Sequence, residues 1–72
     1  MQNENAQGVV KFFSDANGYG FITPDENMAD IFFHQDDLPP GVEVSKGDAV
    51  EFRVEPNRRD PSRLRAKNVR LI

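Results

Sequence analysis

Seven aromatic residues, six Phe and one Tyr, carry most of the chemistry this sequence can offer. Most of them crowd into Phe12-Phe13, Tyr19-Gly20-Phe21 and Phe32-Phe33. Flat rings beside polar groups suit unpaired nucleobases, because every base has a π-face and stacking on it contributes about 1–3 kcal/mol. Availability depends on which face of a strand the rings occupy, since side chains alternate across a sheet. In Gly18–Thr23, Tyr19, Phe21 and Thr23 share one face, and two of the three residues opposite are glycines. In Asp30–His34, Phe32 shares its face with Asp30 and His34, while Ile31 and Phe33 lie opposite. An Asp and a His flanking an aromatic fit a solvated face better than a core. Tyr19, Phe21, Phe32 and His34 are therefore expected to form one exposed platform, and such a cluster marks a binding surface. Ile22, Ile31, Phe33, Val50, Phe52 and Val54 are expected to supply the core. The opposing reading buries Tyr19 and Phe21 and lets the glycines ease packing. The Asp–Phe–His strand and the low aliphatic content of Gly18–Thr23 outweigh it.

The elements that must hold this platform are short strands. Met1–Gln7 is polar and reads as a frayed tail, leaving residues 8–72 as one domain. Gly8–Phe13 is rich in strand formers. Asn17-Gly18 is a hairpin signal leading into Gly18–Thr23, and Asp30–His34 follows as a third strand. Asp36-Asp37-Leu38 is expected to form one helical turn before Pro39 and Pro40 end it. Ala49–Glu55 alternates cleanly, with Val50, Phe52 and Val54 on one face. Pro56–Ser62 is a basic, turn-rich loop, and Leu64–Ile72 is a fifth strand with weak alternation. Phe12 and Phe13 are adjacent, so a regular strand points them to opposite faces. Parity with Lys11 places Phe13 beside that lysine, but a β-bulge shifts the parity, and position alone does not decide. Five short strands without helical periodicity predict an all-β fold, a small sandwich or barrel.

Composition narrows the function classes. The chain has 72 residues, no Cys and one His. Disulfides, thiolate metal sites and multi-histidine sites are excluded. No apolar run approaches the ~20 residues that cross a bilayer, and no secretory signal is visible. A cytosolic location is the expectation. The net charge of −3 is unevenly spread. Met1–Asp48 holds two basic and nine acidic residues, a net −7, and Ala49–Ile72 holds seven basic and three acidic, a net +4.

Gly8-Val-Val-Lys-Phe-Phe-Ser, Asn17-Gly-Tyr-Gly-Phe-Ile-Thr-Pro and Asp30-Ile-Phe-Phe-His together resemble the cold-shock domain family. Gly18–Ile22 and Ile31–His34 are similar to its two RNA-binding motifs, and Lys11-Phe12-Phe13 to the Lys-Trp-Phe of its first strand. Gly47–Phe52 and Ala66–Val69 resemble its fourth and fifth strands. The resemblance implies a five-stranded antiparallel OB-type barrel that binds single-stranded RNA and DNA. It implies a binding face of Lys11, Phe12, Tyr19, Phe21, Asp30, Phe32 and His34, which settles Phe12 by analogy. Asn17 stands where a lysine is usual and Gln35 where an aromatic is common. The Leu38–Gly47 connection is short and lacks its usual aromatic, and the Pro56–Ser62 loop is altered. A weaker or shorter-footprint binder than a typical member is expected.

Other classes fit less well. An RNA-recognition-motif domain needs two helices, and this chain offers none. A β-barrel interaction module could grip proline-rich peptides with the same aromatics, though Asp30–Phe32–His34 argues less for it. Nothing places a serine on a strained elbow beside a base, so no enzyme is expected. His34, Asp36 and Asp37 could hold a metal in principle, but solvated aspartates capping a turn are the better reading. No cofactor and no metal are expected, and the chain is expected to act as a monomer, with a dimer left open. Arg53, Arg63, Arg65 and Arg70 read as solvating strand faces and pairing with acids. Arg58 and Arg59 lie in the loop that can reach the platform, and Arg59 is assigned to phosphate contact.

Overall fold

The computed structural model describes residues 5–26 and 29–72. Five strands close into one barrel: β1 (Asn5–Ser14), β2 (Tyr19–Pro24), β3 (Ile31–His34), β4 (Ala49–Pro56) and β5 (Leu64–Leu71). Around the barrel their order is β1-β2-β3-β5-β4. This is the OB-type barrel that the resemblance implied. Five strands cannot all be antiparallel to both neighbours in a closed ring, because directions alternate only for even numbers. The one parallel seam is β3–β5, where Phe32 faces Arg65.

Strand β1 begins at Asn5, inside the stretch expected to be a frayed tail. Asn5, Ala6 and Gln7 pair with Arg53, Phe52 and Glu51 of β4. Ala6 packs against the core, and one small apolar residue between polar neighbours hid that alternation. Met1–Glu4 of the expected tail lie outside the described residues.

The core is Val10, Ile22, Ile31, Phe33, Val44, Val50, Phe52, Ala66 and Val69. Five of the six expected core residues are in it. Val54 is only half-buried, because it sits at an end of the barrel where it lines a cleft with Ala6 and Pro24. Ala66 and Val69 both point inward although an odd number of steps separates them. Asn68 between them takes a left-handed φ of 55°, and the β4 partners jump from Arg53↔Lys67 to Glu51↔Arg70. That irregularity is why β5 shows weak alternation in sequence.

Gly20 explains why one face of β2 lacks bulk. A Cβ there would overlap the Phe12 carbonyl oxygen and lie 3.0 Å from both Phe13 Cα and Phe33 Cε1. Its absence lets β1 fold close over β2 and lets Phe13 stack on Phe33, with ring centroids 5.6 Å apart and planes 11° apart.

After β3 a 3-10 turn, Gln35–Asp37, ends before the prolines, as the sequence indicated. Its capping box is reciprocal. The His34 side chain accepts the Asp36 N–H at 3.0 Å, and Asp37 Oδ2 accepts the His34 N–H at 2.8 Å. Asp37 is not the solvated aspartate that was expected, because its side chain is fully buried. Oδ2 also accepts Arg65 Nε–H at 2.9 Å, and Oδ1 lies 3.4 Å from Lys67 Nζ. Arg65 and Lys67 come from β5, so this carboxylate ties the end of β3 to β5 at the parallel seam. Removing one partner of a buried ion pair strands the other charge, at about 3–5 kcal/mol. Arg65 and Lys67 keep part of their exposure, so Asp37→Asn is expected to lose about 3 kcal/mol of unfolding free energy in urea, the low end of that range. Asp36→Asn, at the exposed neighbouring carboxylate, should stay within about 0.5 kcal/mol. Equal losses at the two positions would remove Asp37 from its role at the seam.

Candidate nucleic-acid interface

The expected platform assembles on the outside of the barrel. Tyr19 lies opposite His34, and Phe21 opposite Phe32, in the β2–β3 pairing. The β1–β2 pairing sets Phe12 opposite Phe21. Four rings form a connected cluster: Phe12–Tyr19 at 6.1 Å, Tyr19–Phe21 at 6.1 Å, Tyr19–Phe32 at 5.9 Å and Phe21–Phe32 at 5.9 Å between centroids. Their planes are inclined by 36–80° to one another. Such edge-to-face packing is favourable between aromatic rings, and it leaves the cluster partly in water. Phe12 is 43% exposed, a large solvent share for a phenylalanine. His34 is half-buried and committed through Nδ1 to the cap of the 3-10 turn.

A β-bulge settles the orientation that β1 left open. The register steps from Val10↔Ile22 to Phe12↔Phe21, so Lys11 is the extra residue. Val10 is then buried, Lys11 and Phe12 are both exposed, and Phe13 turns inward onto Phe33. Simple parity would have put Phe13 beside Lys11. The extra residue reverses every position that follows it.

Lys11 and Asp30 meet beside the rings. Lys11 Nζ donates to Asp30 Oδ2 at 2.7 Å, and Thr23 Oγ1 donates to Asp30 Oδ1 at 3.1 Å. The Lys11 hydrogen bond, with smaller help from Thr23, outweighs partial desolvation and holds the Asp30 carboxyl below its ordinary value of 3.8. Arg59 is the expected residue that the structure does not bring to the cluster. It is exposed on the β4–β5 connection, where its N–H donates to Asn57 Oδ1 at 2.9 Å. The residues of that connection and of the start of β5 that border Phe21 and Phe32 are Asn57, Ser62, Arg63 and Leu64. The Asn57 and Asp60-Pro-Ser62 signals announce a folded loop, but the side toward which it leans is set by strand pairing far away in sequence.

A carboxyl held below its ordinary value favours the folded state while ionised. Its contribution is fully present above the unfolded value and is lost as pH falls through the folded one. A carboxyl-detected NMR titration should place the Asp30 midpoint below 3.8, and Lys11→Met should move it upward. An unmoved midpoint in Lys11→Met would sever the two residues.

Residues 6–72 match the "Cold-shock" DNA-binding domain family. The chain is 44% identical over 68 residues to a cold shock-like protein of Aquifex aeolicus, covering 92% of this chain and 93% of that one. It is 46% identical over 54 residues to glycine-rich protein 2 of Nicotiana sylvestris, covering 72% of this chain but only 25% of that longer protein. Among solved structures it superposes on the Drosophila Unr protein (CSD456) with a TM-score of 0.79 at 28% identity, covering 97% of this chain and 27% of that one. A barrel of this topology, carrying an aromatic face in this register and matching along nearly its whole length, belongs to the cold-shock domain family, a family of nucleic-acid-binding domains.

Proposed function

We propose that this protein binds single-stranded RNA and DNA by stacking unpaired bases on Phe12, Tyr19, Phe21 and Phe32, and that it acts as a non-catalytic RNA chaperone. The observation that carries the reading is the connected, part-exposed cluster of four rings on the barrel's outer face. A ring that gains nothing from water gains from a base laid over it. The inclination between rings also bears on the ligand. Bases stacked on rings 36–80° apart must splay from one another. A flexible single strand can do this, whereas a duplex would have to give up its own stacking. Holding bases in this way competes with intramolecular pairing and keeps RNA open. His34 adds an imidazole at the end of the row, and Asp30 and Lys11 supply an acceptor for base amino groups and a cation for the backbone.

The surface beyond His34 is bordered by Asp15, Asp36 and Glu43. Carboxylates repel phosphates, so the strand's track ends near His34 and the footprint is short. Few cations are available to extend it. Lys11 is already neutralised by Asp30 at 2.7 Å, and Arg63 lies 3.4 Å from Asp60.

Phe21→Ala and Phe32→Ala should each weaken binding to a pyrimidine-rich single strand by about 1–3 kcal/mol with the fold intact. Parent-like affinity in both variants would end the stacking assignment. A salt titration supplies an independent reading. Single strands give a slope of about 0.7 per neutralised phosphate, so two or three contacts predict a slope of roughly 1.4–2.1. A steeper dependence would mean that cations, not rings, hold the strand. Tyr19 fluorescence should be quenched by oligonucleotide, and a response only to proline-rich peptide would favour a protein-interaction module instead.

A further inference from the structure

The β4–β5 connection stands beside the aromatic cluster and leaves a groove of about 490 Å³. Phe21 and Phe32 line it from the platform with Ala29, and Asn57, Ser62, Arg63 and Leu64 line it from the connection and the start of β5. The connection is braced by its own hydrogen bonds. Asn57 N–H donates to the Arg63 carbonyl and Arg63 N–H to the Asp60 carbonyl, both at 2.8 Å. Ser62 Oγ donates to Asp60 Oδ1 at 2.6 Å. Asp60 is thereby held below its ordinary carboxyl range, chiefly by the Ser62 hydroxyl. The wall is pre-formed, so a ligand would not have to order it.

We infer that this groove takes one unstacked nucleobase, turned sideways from the strand that the aromatic face holds. The inference rests on the single-strand reading above and extends it laterally. The volume lies within the roughly 300–1,000 Å³ of small-ligand sites. Its apolar surfaces come from both sides, from Phe21 and Phe32 and from Leu64, so a flat ring can be sandwiched. Leu64 is 40% exposed, and the core gains little from it. The polar groups are few and suited to a base edge. Asn57 uses its Oδ1 on the Arg59 N–H, and its amide hydrogens are free, among the described residues, to reach acceptors on a base. Arg63 carries a charge at the same wall for the adjoining phosphate. A base locked in a duplex cannot be offered this way, so the groove adds discrimination for open strands.

The test uses the full chain and a set of pyrimidine hexanucleotides, each with one abasic position. For the parent, one position beyond those stacked on the four rings should show a penalty of about tenfold. Leu64→Glu and Ala29→Leu spoil the groove from opposite walls, and thermal melts check the fold of each, so misfolding of one leaves the other to decide. In a folded variant, affinity for the intact hexanucleotide should drop about tenfold and the penalty at that one position should vanish. Unchanged affinity and an unchanged abasic pattern in the folded variants, with Phe21→Ala still weakening binding, would overturn the groove and leave the stacking face standing. Loss of neither on Phe21→Ala nor on the groove variants would remove both.

Discussion

A ring of five strands must contain a parallel seam, and in this barrel the seam depends on a single buried carboxylate. Strands β3 and β5 share only the pairing of Phe32 with Arg65, too little ladder to hold the closure by backbone hydrogen bonds. Asp37 supplies what the ladder lacks. Its carboxylate takes the His34 N–H and the Arg65 guanidinium at once, with Lys67 alongside. A charge out of water is tolerated only when paired and hydrogen-bonded, and here the pairing partners lie on the strand that must be captured. The aromatic face inherits its geometry from this seam, because Phe32 sits on it and His34 caps the turn that delivers Asp37.

The seam also shows how the uneven charge of the chain is used. The acidic first part gives Asp37 and the basic second part gives Arg65 and Lys67, so the two parts meet at the closure. Other cations are matched locally: Arg53 with Glu55, Arg63 with Asp60, Arg70 with Glu51 and Lys11 with Asp30. Surface pairs of this kind add at most about 1 kcal/mol each, but they lower the positive potential a polyanion would feel. Among the described residues, Lys46, Arg58 and Arg59 are left without such a pair, and none of the three lines the aromatic cluster. A net charge of −3 is thus compatible with a nucleic-acid binder whose contacts are made with bases at short range.

Much of the face was legible because β2 and β3 are regular. Period-two alternation set Tyr19 and Phe21 outward, and with Asp30 and His34 as neighbours it set Phe32 outward as well. The same rule fails on β1 and β5, where a residue is out of step. The bulge at Lys11 sends Phe12 out and Phe13 in, and the left-handed Asn68 puts both Ala66 and Val69 inside. Neither irregularity has a local signal in residue type. Asp37 is a different failure. Its capping role was readable from its position before a short turn, but its burial depends on Arg65, 28 residues away. The placement of Arg63 rather than Arg59 beside the rings likewise depends on how the loop is pinned by Asn57 and Asp60, not on the charge of the loop.

Several residues serve closure and face together, and this has a mechanical consequence. His34 presents its ring opposite Tyr19, while its Nδ1 accepts the Asp36 N–H and its N–H is given to Asp37. Gly20 keeps the backbone of β1 close enough for Phe13 to stack on Phe33 beneath the outward rings. A ring on this face therefore cannot move without disturbing either the capped turn or the packed layer below it. Ring positions fixed in advance spare a ligand the cost of ordering them. For a small binder with few free cations, that saving matters more than it would for a basic one. The strand it holds must bend to the rings, because the rings, tied to the barrel's only parallel seam, do not bend to the strand.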